Sequence, residues 1–272
     1  MICRTYLPGP PLCDFVHAMW LIEGCVMPHG FERVMPSGDM QIVINLFDDS
    51  TRVYNPKNLR HYERLSGSLL CGAHSSAVIV DAAELRETVG VHFKAGGAFP
   101  FFKLPVNALQ DVHVTLEEVW GEEGRCLREQ LLEARRAESK FQILERALLR
   151  RAAGRFERHR AVQYALGRFQ RAPHEAVSGV TEETGLSERR FIQLFANEVG
   201  LTPKLYCRVQ RFQKAVSQTF GSAPVDWAEV ALDCGYFDQA HFIHDFVAFS
   251  GLTPSTYLRQ RTGPGNHVPI AD

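Results

Sequence analysis

The chain has no apolar run of the eighteen or so residues that a membrane helix needs. It also has no basic start followed by a short apolar core and a small-residue cleavage site. The expectation is a cytosolic protein with no membrane partner. Its seven cysteines are odd in number and include no Cys-x-x-Cys pair, which favours reduced thiols over a disulfide framework. Neither charge dominates: 30 Lys and Arg stand against 31 Asp and Glu, so bulk charge does not point to nucleic acid. Several catalytic signatures are missing: a Gly-x-Ser-x-Gly elbow, a phosphate loop and a His-Glu-x-x-His pair. The expectation is therefore no enzyme, no cofactor and no metal.

What is present is an ordinary globular composition, 45% apolar over 272 residues, enough for two domains. Residues 1–115 carry strand character. Met40 to Phe47, Ala77 to Val80 and Thr88 to Phe93 are rich in β-branched and apolar residues and are bounded by Gly, Asp and Pro. From 116 to 154, Leu127, Leu131, Ile143, Leu144, Ala147 and Leu148 recur at helical spacing, which reads as a helical connector. The fold class expected is α+β, with a β-rich N-terminal domain, the connector, an all-α domain over 155–262 and a flexible tail over 263–272. The neutral total also conceals an asymmetry. Between residues 155 and 215 eleven Lys/Arg face six Asp/Glu, and no Lys or Arg occurs between Lys214 and Arg259.

A segment within the all-α region occurs twice. Gly185-Leu-Ser-Glu-Arg-Arg-Phe-Ile-Gln-Leu-Phe195 leads to Gly200-Leu-Thr-Pro203 and Tyr206. Gly235-Tyr-Phe-Asp-Gln-Ala-His-Phe-Ile-His-Asp-Phe246 leads to Gly251-Leu-Thr-Pro254 and Tyr257. Two copies indicate a duplicated supersecondary unit rather than a solenoid. Each reads as helix, turn, helix. Gly185 and Gly235 close a short first helix, and Ser187 or Asp238 caps the second. Phe191 and Phe195, or Phe242 and Phe246, mark its inner face at i and i+4. Thr202-Pro203 then starts a helix to about Thr219, ~25 Å long at ~1.5 Å per residue. A rod of that length can set two recognition helices into successive major grooves, ~34 Å apart.

These motifs resemble the AraC/XylS-type regulator domain over residues 160 to 261: the paired units, both Gly-Leu-Thr-Pro boxes, and Ala-x-x-Cys-Gly-Tyr-x-Asp-Gln-Ala-His-Phe from Ala231. Pro11 to Trp20, Pro36 to Asn45, Val89 to Ala98 and Leu116 to Gly121 are similar to the sensor-type domain of some such regulators. The resemblance implies a transcription regulator that binds double-stranded DNA, works with RNA polymerase, and can take a small-molecule effector and form a homodimer. Carried over by position, it implies base contacts from Arg189, Ile192 and Gln193 in the first recognition helix. In the second it implies contacts from Gln239, Ala240, Ile243 and His244.

Arg189 at the start of a recognition helix suits guanine, and Gln193 suits adenine. Arg190, Asn197, Lys204, Arg208 and Arg211 are phosphate candidates. The second unit lacks a basic residue and carries Asp245, so it reads weakly or serves as a structural partner. His241 and His244, spaced as a metal pair, lack an indicated third ligand and read as DNA-facing or surface residues. Cys207 and Cys234 sit at apolar repeat positions and read as small core residues. Trp20, Phe31, Phe93, Phe99, Phe101 and Phe102 are candidates for a cavity wall, with Glu23, Arg33 and His92 as polar neighbours. The rival readings are an enzyme with a catalytic N-terminal half and a signal- or partner-binding module that has lost DNA binding.

Overall fold

The computed structural model describes residues 2–56, 58–154, 156–220, 225–262 and 265–270. Ten strands come first: β1 (Ile2–Tyr6), β2 (Val16–Glu23), β3 (Phe31–Val34), β4 (Gln41–Asn45), β5 (Ser50–Asn55), β6 (Asn58–Ser66), β7 (Ser68–Cys71), β8 (Val78–Asp81), β9 (Glu87–Phe93) and β10 (His113–Thr115). The helices follow: α1 (Leu116–Trp120), α2 (Glu122–Glu133), α3 (Ala137–Ala152), α4 (Arg160–Arg171), α5 (Val177–Glu183), α6 (Glu188–Val199), α7 (Pro203–Gln218), α8 (Trp227–Asp233), α9 (Gln239–Ser250) and α10 (Pro254–Gln260). A last strand, β11 (His267–Ile270), ends the described chain.

The strands form two antiparallel sheets, ordered β1-β2-β9-β4-β7-β10 and β11-β3-β8-β5-β6. Strand periodicity explains how the first sheet is used. In β4, Ile42 and Ile44 are fully buried on one face, whereas Gln41 and Val43 turn to the other and are only half-buried. The buried face, with Met19, Leu21, Val89, Val91 and Phe93, packs under helices. Residues 116–154, expected as a connector, supply part of that cover. Tyr6 stacks on Phe141 with ring centroids 5.3 Å apart, and Phe102 on Trp120 at 5.6 Å. Arg128 donates to the backbone carbonyls of Asn45 and Asp48. These helices are built into the N-terminal unit.

The tail departs from expectation. Residues 267–270, taken from the sequence as flexible, pair antiparallel with β3 in the register His267 to Val34 and Ile270 to Phe31. Val268 is buried, and Met35 N donates to the carbonyl of Asn266. Most of the Gly, Pro and Asn that suggested fraying lies in the approach, and of these only Pro269 falls within the strand. The His-Val-Pro-Ile segment itself covers a sheet edge that would otherwise present unpaired backbone groups. Residues 263, 264, 271 and 272 of that expected tail lie outside the described residues.

Candidate nucleic-acid interface

Both units of the repeat fold as helix, turn, helix. In the first, α5 stops before Gly185, whose φ of 69° is left-handed, and α6 follows. Ser187 occupies the N-cap position, although its side chain makes no capping hydrogen bond there. In the second, Gly235 has a φ of 74° and Asp238 caps α9 by accepting from His241 N at 2.7 Å. Thr202 and Thr253 cap α7 and α10 by accepting from Leu205 N and Thr256 N, with Pro203 and Pro254 in the first turn, where a missing N–H costs nothing. Helix α7 is continuous over its sixteen residues, ~24 Å at ~1.5 Å per residue, and so links the two units as an unbroken rod.

Aromatic packing fixes which face each recognition helix presents. Phe191 and Phe195 are buried and continue through Phe169 and Tyr206, with centroids 5.7 to 6.0 Å apart. Phe242 and Phe246 are likewise buried, the first stacked on Trp227 and the second against Phe212 and Tyr257. Opposite these anchors, Arg189, Arg190 and Gln193 are exposed on α6, with Ile192 and Asn197 half-buried beside them. On α9, Gln239, Ala240, Ile243 and His244 are exposed. Lys204 is exposed at the start of α7. Cys207 and Cys234 are buried among the aromatics, and burial pushes their thiols up to about 12 and about 11.

Two arginines expected at phosphates also have partners inside the protein. Arg208 Nη2 donates to Asp245 Oδ1 at 2.7 Å, and its guanidinium lies over the Phe249 ring. Arg211 donates to the Gly235 carbonyl and lies over Tyr236. The pairing also resolves the acidity of the second unit. Asp245 is 2% exposed, so the one carboxylate on α9 faces inward to α7 and away from solvent. Asp226 and Asp238 are occupied as helix caps. The outer face of α9 is therefore neutral rather than acidic. His241 and His244 flank Asp245 at 4.0 and 3.9 Å. Among the described residues no group of three His, Cys, Asp or Glu side chains is placed to hold a metal ion, and no helix is long and apolar enough to cross a membrane.

A second feature lies between the two sheets: a cavity of about 350 Å³. The first sheet contributes Trp20, Ile22, Val43, Leu69 and Cys71, and the second Val34, Val53, Val78 and Val80. Gly90 gives the Trp20 indole its place, because a Cβ there would stand 2.4 Å from the ring. Of the aromatics expected to line a cavity, Trp20 does so. Phe93, Phe101 and Phe102 are core on the opposite face of the sheet, Phe31 packs on Tyr54, and Phe99 packs against the core. Glu23, Arg33 and His92 are also outside the wall: Arg33 donates to the Ser250 carbonyl and His92 pairs with Asp39 at 3.1 Å. Sequence reading missed His74 and His113, whose rings lie 4.4 Å apart in the cavity wall. They are 39 positions apart in sequence, and only the pairing of β10 with β7 brings that strand's histidine to the loop after β7.

Comparison with known proteins gave matches in both halves of the chain. Residues 180–260 match a family described as a helix-turn-helix domain, and residues 4–115 match one described as a domain of unknown function. Curated protein sequences gave no significant match. Among solved structures, the C-terminal domain of AraT, a response regulator from Geobacillus stearothermophilus, aligns at 23% identity over 38% of this chain and 87% of that chain, with a TM-score of 0.36. A probable AraC family transcriptional regulator from Rhodopseudomonas palustris aligns at 26% identity over 39% of this chain and all of its own, with a TM-score of 0.34. ToxT from Vibrio cholerae aligns over 97% of this chain and all of its own, at 9% identity and a TM-score of 0.47. Residues 180–260 are thus a helix-turn-helix domain, a fold that docks on DNA, set behind a β-rich N-terminal region.

Proposed function

We propose that one chain reads two successive major-groove segments, with α6 and α9 as the reading helices and α7 as the spacer. The observation that carries this is the matched exposure of the two helices: each buries its paired phenylalanines and leaves its polar row in solvent. In the first segment Arg189 and Gln193 make the specifying base contacts, with Ile192 as an apolar neighbour. In the second, Gln239, Ala240, Ile243 and His244 read through amide hydrogen bonds and apolar contact, without a fixed charge. Arg190, Asn197 and Lys204 hold phosphates. Arg208 holds α9 against α7, and Arg211 holds the turn at Gly235 against α7.

The division near residue 155 separates this reader from an N-terminal unit whose cavity takes a small-molecule effector. Dimerisation and contact with RNA polymerase complete the regulator, and no catalytic step is assigned to it. Selection of bound duplexes from a random pool, followed by footprinting, tests the reading. Two protected segments about one helical turn apart are expected. The Arg189→Ala, Gln193→Ala double variant should lose discrimination in one segment only, and unchanged specificity in that variant would remove these residues as readers. Affinity should also fall steeply with salt, as phosphate contacts release counterions.

A further inference from the structure

The walls of the cavity define what it can hold. On the inner face of a closely packed sandwich, aliphatic side chains are fully buried. Here Ile22, Val34, Val43, Val53, Val78 and Val80 face inward yet remain only half-buried, because the two sheets do not meet between them. The volume falls at the small end of the range for ligand sites, roughly 300–1,000 Å³. At one end sit an imidazole pair, His74 with His113, and the thiol of Cys71. His74 Nε2 has no hydrogen-bond partner in the protein. Burial pushes the His113 ring down to about 3 and the Cys71 thiol up to about 12, so both are uncharged at neutral pH. Among the described residues no lysine or arginine lines the cavity, whose other titratable side chains include Asp39 and His267. A carboxylate or phosphate beside His74 would be buried without a fixed counter-charge and would share the wall with the carboxylate of Asp39, which is strongly disfavoured.

Three wall segments also touch the DNA-reading domain. Pro36 and Ser37 line the cavity, and their carbonyls accept hydrogen bonds from Gln213 Nε2 at 2.7 Å and Gln210 Nε2 at 3.0 Å on the spacer helix α7. Gly72 and His74 line it, and Ala73 between them abuts Gly200, which follows α6. Val78 lines it, and the neighbouring Ala77 N donates to the Phe249 carbonyl near the end of α9 at 2.7 Å. The segments that form the cavity wall therefore touch the spacer and the ends of both reading helices.

We propose that the cavity binds an uncharged, largely apolar molecule that hydrogen-bonds to His74, and that its occupancy reaches the DNA-reading helices through the Gln210 and Gln213 grips on the Pro36–Ser37 wall. This rests on the effector reading above and adds the ligand class and the route. A ligand can shift the reader only by binding one arrangement of that wall better than another.

The test uses the full chain, with 2-naphthol as an uncharged probe and 2-naphthoate as its anionic counterpart. Calorimetry should show saturable binding of 2-naphthol, with 2-naphthoate weaker by about tenfold or more. Val80→Trp should abolish binding, and Val43→Leu, a smaller filling, should weaken it and serves if the first variant fails to fold. Saturating 2-naphthol should change affinity for the selected duplex by about fivefold or more. The Gln210→Ala, Gln213→Ala double variant should bind 2-naphthol normally but lose that change. No saturable 2-naphthol binding up to millimolar concentration, equal binding of 2-naphthoate, or filled variants that bind as the parent does would overturn the assignment. Binding with no effect on DNA affinity, or an effect that survives in the double variant, would overturn the route. Failure of the DNA reading itself would show separately, as a chain that selects no duplex when ligand-free.

Discussion

Replacing Arg208 with Ala should loosen the second recognition helix from its inner side. Asp245 is 2% exposed and Arg208 Nη2 is 2.7 Å away. At that distance and an effective dielectric of ~20 the attraction is about 6 kcal/mol before desolvation is counted. Desolvation offsets much of this. What remains after truncation is a buried carboxylate whose next neighbours, His241 and His244, stand near 4 Å. Breaking a wholly buried pair costs ~3–5 kcal/mol. The Arg208 side chain is 33% exposed, so water reaches part of the vacated space, and the expected cost falls to about 2–3 kcal/mol. Native-state hydrogen exchange resolves this locally in a chain of more than one domain. Amide protection over 239–250 should fall about 30- to 150-fold, since ~1.4 kcal/mol is tenfold. Asp245→Asn should cost less, because the freed guanidinium reaches solvent. If Arg208→Ala leaves α9 protection within threefold of the parent, the ion pair does not hold the helix and the reasoning fails.

Three further outcomes follow from the same geometry. Ending the chain at Thr262 should cost the N-terminal unit about 2 kcal/mol, from re-exposing the surface that Val268 covers, and should promote self-association through the bared β3 edge; melting and size-exclusion measurements decide, and an unchanged melt counts against β11. Gly200→Ala should destabilise by about 2 kcal/mol or more, because φ is 95° and the new Cβ would lie 2.9 Å from that of Ala73. Gly185→Ala, with φ 69° and open space, should cost only about 1, so equal losses in thermal denaturation would contradict the contact. Finally, the His113 ring titrates near 3 when folded against ~6.5 when unfolded, so the unfolded state binds more protons between those values and stability declines as pH falls below about 6.5. The loss should reach about 1–2 kcal/mol by pH 5, and His113→Phe should remove it; an identical pH profile in that variant refutes the attribution.

Local signals were enough for the DNA-reading half. The doubled Phe-x-x-x-Phe spacing, the glycines that end the first helices, and the Thr-Pro starts are all decided within a turn or two of backbone, so both helix-turn-helix units and the inner face of each second helix could be read along the chain. The fates of Arg208 and Asp245 could not. As single letters, one was a phosphate candidate and the other a doubt about the second unit, and only the crossing of α7 over α9 turned them into a pair. The cavity was equally hidden, because alternation in β4, β7 and β8 marks an inner face without saying whether the opposite sheet meets it.

The sequence by itself determined that this protein carries two helix-turn-helix units on a rigid spacer behind a β-rich domain, because helix and strand periodicity and capping chemistry act over a few residues. Only the tertiary structure decided three things: that the last strand returns to the first domain, that the connecting helices belong to that domain's core, and that the space between the sheets stays open beside the spacer. Each depends on contacts between segments far apart in the chain, whose geometry no local pattern encodes.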